Sequence, residues 1–140
     1  MNGLQIYTDG AARGNPGHAA WAYLILDGMA VISKRSGYIG VATNNIAEYT
    51  AILEALAEAK RYAKPIWVYS DSELAINQIN GRYKINLPHL QKLCSKVKKM
   101  RPEFSRANFI HVGRDNRFIR MADRLSNRCL DKHRLQGGKN

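Results

Sequence analysis

Acidic residues are scarce in this 140-residue chain: 11 Asp and Glu stand against 22 Lys and Arg, a formal net charge of +11. Cysteine is scarcer still. Cys94 and Cys129 supply neither a disulfide framework nor a metal ligand set, and read as reduced thiols of a cytoplasmic protein. No run approaches the roughly 18 apolar residues of a membrane span, so no membrane association is expected. The first residues (MNGLQIYTDG) lack a basic stretch followed by a long apolar one, so no signal peptide is expected. Repeats, low-complexity tracts and long linkers are missing too. With 45% hydrophobic and 24% charged residues, the chain can bury a core and is no disordered polyelectrolyte. Its length suits one domain, expected over 1–136, with 137–140 as a flexible tail.

The positive charge is concentrated. Residues 1–81 carry 6 basic and 7 acidic side chains, and residues 82–140 carry 16 and 4. A basic carboxy-terminal part suggests a polyanion partner, of which nucleic acid is the commonest, although a solvated surface would look the same.

Local patterns define the elements. Leu4–Thr8 alternates as a strand, and Gly10–Gly17 (GAARGNPG) has the composition of a turn. Ala19–Leu26 and Ala30–Tyr38 flank Asp27-Gly28, a strong hairpin signal. Tyr49, Ile52, Leu53 and Leu56 form a helical stripe over roughly 46–62, capped by Asn44 or Asn45. Ile66–Ser70 reads as a strand, Ser72–Ile79 as a short helix, and Pro88 opens a helix to about Met100. Ala107–Val112 is the last strand and about Arg120–His133 the last helix. The order βββαβααβα predicts an α/β fold, a mixed sheet with helices on its faces.

Against so few acids, four placements stand out. Asp9 and Asp71 close the first and fourth strands, where open sheets gather ligands. Glu48 is expected in the first turn of the long helix and Asp123 in the first turn of the last. Each has an ordinary alternative: turn formation for Asp9, capping for Asp71, a capping box from Asn45 for Glu48, and the helix dipole for Asp123. One sheet could nevertheless gather all four. Clustered carboxylates repel unless cations neutralise them. Hard divalent cations completed by a substrate phosphate would explain the set, and with the basic half they point to two-metal phosphodiester chemistry.

The segments YTDGAARGNPG (7–17), TNNIAEYTAILEAL (43–56), VYSDSELAINQINGRYK (68–84) and MADRLSN (121–127) resemble type 1 ribonuclease H, in order and spacing across almost the whole chain. The resemblance implies the ribonuclease H-like fold, with three antiparallel strands followed by parallel ones in a five-stranded mixed sheet. It implies endonucleolytic hydrolysis of the RNA strand of RNA–DNA hybrids, leaving 5′-phosphate and 3′-hydroxyl ends. It also implies two Mg2+ ions, with Mn2+ as a substitute, held by Asp9, Glu48, Asp71 and Asp123. Asn15, Thr43, Asn44 and Asn45 match positions that contact the two backbones, and Asn77 is a weaker candidate. Asn15 also suits its turn before Pro16, and Asn44 and Asn45 suit a helix cap.

The chain departs from well-studied bacterial members in two places. They carry a basic, Trp-rich protrusion where Gly81–Pro88 is short and lacks tryptophan, so the grip shifts to Lys92, Lys96, Lys98, Lys99 and Arg101. Where many carry a mobile loop histidine, this chain reads Gly113-Arg114-Asp115, and Arg114 is the candidate for the scissile phosphate. His111, just before, is read as a strand residue. Relatives without the protrusion resemble this arrangement, and some accept double-stranded RNA, which becomes a further partner to weigh. A monomer is expected. Two rival readings are a junction-resolvase or transposase core, against which the TDG and TNN motifs argue, and a binding module, which would usually have lost a metal ligand.

Overall fold

A computed structural model describes residues 2–137. Five strands, β1 (Leu4–Gly14), β2 (Gly17–Asp27), β3 (Ala30–Ala42), β4 (Ile66–Ser70) and β5 (Ala107–His111), form one sheet in the order β3-β2-β1-β4-β5. The first three are antiparallel neighbours, and β4 and β5 run parallel to β1. Helices α1 (Asn44–Ala59), α2 (Glu73–Ile79) and α3 (Pro88–Met100) follow the chain between them, and α4 (Arg117–Gly137) ends it. This is the five-stranded mixed sheet that the sequence predicts.

Strand alternation distributes the core between two layers. Leu4 and Ile6 of β1, Ile66 and Val68 of β4, and Tyr23 and Ile25 of β2 pack with Ile52 and Leu56 of α1 and with Leu90 and Val97 of α3. Tyr7 and Leu24 point to the other face and meet Ile119 of α4. Tyr7 stacks on Tyr69 at 4.7 Å and contacts Phe118 at 4.9 Å, fixing the start of α4 over β1 and β4.

The strand ends differ from expectation. Gly10–Gly14 continues β1 instead of turning, because Ala11, Ala12 and Arg13 pair with Ala20, Ala19 and His18. Only Asn15-Pro16 reverses the chain, and Gly14 accommodates a φ of 107° there. Thr43, not Asn44 or Asn45, caps α1: its hydroxyl accepts from the Ile46 amide at 3.2 Å. Glu48 therefore lies in the second turn of α1 and is no capping-box partner. Asn116 caps α4, its side chain accepting from the Phe118 and Ile119 amides, so the helix starts at Arg117 rather than Arg120. Asp123 accordingly sits in the second turn of α4, not the first. The tail expected over 137–140 lies outside the described residues, except that Gly137 closes α4.

Candidate active site

Register brings the two aspartates level. Parallel β1 and β4 pair Tyr7 with Tyr69, two residues before Asp9 and Asp71 respectively, so the two aspartates lie level where β4 ends, although Asp9 stands within β1 rather than closing it as expected. Asp9 alternates with Thr8, which points the other way, and shares the α4 side of the sheet with Tyr7. Glu48 reaches the same sheet end from the opposite layer. Its approach depends on Gly10, where a Cβ would collide with the backbone of Ala47 and Glu48. The Gly10 amide donates to Glu48 Oε1 at 3.0 Å, and the Ser70 hydroxyl donates to Oε2 at 3.3 Å.

One oxygen from each of Asp9, Glu48 and Asp71 lies within 4.8 Å of the others. Asp123 completes the rim of the same cleft, about 480 Å³ in volume, which Asn44, Asn45, Arg114 and Arg120 also line. Asp123 is exposed and its Oδ1 accepts from Asn127 at 3.1 Å. Asp9 is 4% exposed and Glu48 8%. Burial raises the Asp9 carboxyl to about 7; the Ser126 hydroxyl opposes this, while Asp71 and Asp123 add to it. Burial, with the charges of Asp9 and Asp71, also pushes Glu48 well above the ordinary carboxylate range. Asp71 rises through burial, with Arg114 opposing.

Such a set fits hard divalent cations. The oxygens are close and buried, and their mutual repulsion disfavours the ionised state. Arg114 offsets little of it: it stands 3.8 Å from Asp71 with 93% of its side chain exposed, where water screens the pair.

The remaining predicted residues divide. Asn15, Thr43 and Asn44 come together at the start of α1, where Asn15 Oδ1 accepts from the Asn44 amide at 3.0 Å. Asn45 lies beside them on the cleft. Asn77 does not line the cleft; its amide donates to the Glu73 carbonyl within α2. Lys92, Lys96, Lys98 and Lys99 are exposed along α3. Arg101 is used structurally, donating to the Ala107 carbonyl and lying over the Phe109 ring. His111 ends β5, as expected.

Sequence reasoning missed Ser126, which is fully buried and donates to Asp9 Oδ2 at 2.8 Å. Its only signal was its position three residues after Asp123, on the adjacent helical turn. It missed Arg120 as well, hidden among the many cations of α4.

Residues 7–129 match the family model described as reverse transcriptase-like. The chain is 36% identical over 129 residues to a bifunctional protein of Mycobacterium tuberculosis, covering 90% of this chain and 35% of that one. It is 35% identical over 130 residues to ribonuclease HI of Halobacterium salinarum, covering 91% of this chain and 64% of that one. It thus spans less than two thirds of either relative. Among solved structures, a ribonuclease H1 in complex with RNA/DNA hybrid, whose source is a compost metagenome, superposes with a TM-score of 0.86 at 36% identity. That match covers 93% of this chain and 98% of the other.

Proposed function

The chain belongs to the ribonuclease H family, and on that premise we propose that it is an endonuclease hydrolysing the RNA strand of RNA–DNA hybrids. The observation that carries the reading is the convergence of Asp9, Glu48 and Asp71 within 4.8 Å, with Asp123 on the rim of their cleft. It is supported by the relative named ribonuclease HI and by the similar structure bound to RNA/DNA hybrid. Two Mg2+ ions, or Mn2+ in their place, would supply charge to stabilise the entering and leaving oxygens of an in-line displacement at phosphorus.

The protein's own groups do the rest. Asp9 would help to hold both cations; Asp71 would hold one with it, and Glu48 with Asp123 the other. The Gly10 amide and the hydroxyls of Ser70 and Ser126 hold these carboxylates in fixed directions. Arg114 reaches from its exposed loop toward the scissile phosphate. At the start of α1, Asn15, Thr43, Asn44 and Asn45 meet the sugar–phosphate backbones, where amides can read a 2′-hydroxyl as donor and acceptor. Asn77 is a more distant contact. Such contacts read shape and sugar, so sequence preference is slight.

Cleavage of labelled RNA–DNA hybrid, double-stranded RNA and double-stranded DNA, each with Mg2+, Mn2+ or EDTA, tests the proposal. Metal-dependent cutting confined to RNA strands, leaving 5′-phosphate and 3′-hydroxyl ends, is expected. The direct connection from α2 to α3 through Gly81–Leu87, without a protrusion, makes double-stranded RNA a second substrate to be tested in the same assay. Retarded but uncut hybrid would instead mean a binding module. The reading takes the protein as a cytoplasmic monomer, and molar mass by light scattering checks the latter.

A further inference from the structure

Four cations recur every fourth residue along α4: Arg120, Arg124, Arg128 and Lys132. Each step rises about 6 Å and turns slowly around the helix. All four are exposed, and among the described residues none has a carboxylate at ion-pair distance, whereas Arg13, Arg35, Lys60, Lys64 and Arg114 do. A row of unpaired cations at this spacing is not needed for folding.

The row leads out of the cleft. Arg120 lines the carboxylate site. Arg124 and Arg128 face Lys34 of β3 across a groove of about 180 Å³. Arg128 also lines an adjoining groove of about 400 Å³, together with Lys132, Tyr38 and His133. The shared arginine makes the two stretches continuous. Within the second, the Tyr38 ring stacks on His133 at 3.7 Å and 13°, and Tyr38 remains 38% exposed. Lys34 and Tyr38 alternate with Ser33 and Arg35, which bind Glu58 of α1 on the opposite face. The groove therefore lies on the other side of the sheet from the α1 layer.

Resting on the hydrolase reading above, we propose that the groove between α4 and β3 binds single-stranded RNA continuing from the strand held in the cleft. Phosphates lie along Arg124, Arg128 and Lys132, and a base packs against the Tyr38–His133 stack. A cationic track interleaved with an aromatic face is the chemistry of single-strand binding. The groove is bounded by one helix and one edge strand. The strand that passes the carboxylates is the one to be cut, so the strand leaving past Arg120 is RNA.

The test is fluorescence anisotropy in EDTA, so that nothing is cut, on blunt hybrid, on hybrid with a short RNA extension at either end, and on the single-stranded RNA alone. Wild type should bind one extended hybrid about tenfold more tightly than blunt, a gain of the size of one stacked base. The log–log salt slope should steepen by about 2, for three added phosphates. R124Q/R128Q/K132Q should lose that gain and leave blunt binding unchanged; R128Q alone should lose part of it. Equal binding of extended and blunt hybrids by wild type would overturn the proposal. So would an equal loss on both substrates in the triple variant. Variant-sensitive binding of polyglutamate without any gain from RNA would assign the groove to an acidic protein instead. Failure of the hydrolase reading would show separately, as absent cleavage of blunt hybrid in Mg2+, while single-stranded RNA still reports on the groove.

Discussion

The hydroxyl of Ser126 donates to Asp9 at 2.8 Å, joining α4 to the central strand β1 across 117 residues of sequence. The same hydroxyl lies 2.9 Å from the backbone carbonyl of Asp123, an alternative acceptor for its single proton, so one side chain touches two of the four acidic residues. A hydrogen bond to a charged group contributes about 1.5–3 kcal/mol. Ser126→Ala should therefore lower kcat on hybrid roughly tenfold, with KM little changed and Ser126→Thr restoring most of the rate. Unchanged kcat in the alanine variant would remove Ser126 from the site's support.

Gly10 makes a different demand. An added methyl meets backbone on α1 rather than a movable side chain. Gly10→Ala should cost about 3 kcal/mol, at the upper end for overpacking, and should displace Glu48. Urea denaturation measures the loss, and a cost below about 1 kcal/mol would show that α1 can shift freely.

The carboxylate cluster should destabilise the metal-free protein. Asp9 has a folded value near 7 against 3.8 as the ordinary one, so it binds its proton more tightly when folded. Its contribution to stability is greatest at low pH, falls as pH rises from about 4 to about 7, and is flat above. In EDTA at pH 8, Asp9→Asn should melt several degrees above wild type, about 4 °C for each kcal/mol at this size. The difference should shrink toward pH 4. Mg2+ should raise the wild-type Tm and leave the variant almost unmoved, since only a bound ion stabilises by mass action. Calorimetry with and without Mg2+ reads both effects.

Glu58 titrates in the opposite sense. Burial pushes it upward, but hydroxyls from Tyr23 and Ser33 and the charge of Arg35 outweigh burial and leave it below the ordinary value. Its stabilisation is present above the unfolded value and lost as pH falls through the folded one. Glu58→Gln should cost about 1–2 kcal/mol at pH 7, narrowing as the pH approaches 4. A constant gap in urea midpoints over that range would contradict this account.

Strands and helices with strong periodicity were legible in the sequence: β4 and α3 begin and end where Ile66–Ser70 and Pro88–Met100 predict. The four carboxylates could be singled out because acids are few and the sequence pattern puts each near an expected element end. Element ends were harder, since side-chain competition decides them. Thr43 and Asn116 took the caps that Asn44, Asn45 and later positions could have filled. The small residues of Gly10–Gly14 resemble a turn locally, but pairing with β2 extends them as strand. Ser126 was not legible, because its role depends on α4 crossing the sheet at Asp9, a tertiary relation without a local signature.

The central claim is that these carboxylates hold the ions that cut RNA. Its most direct test is the rate of Mg2+-dependent cleavage of an end-labelled RNA–DNA hybrid by wild type and by Asp71→Asn at equal, folded concentration. Loss of an outer partner of a metal ligand already costs 10–100-fold, so loss of a ligand should lower the rate by more than about a hundredfold. Cleavage by Asp71→Asn at the wild-type rate would contradict the assignment.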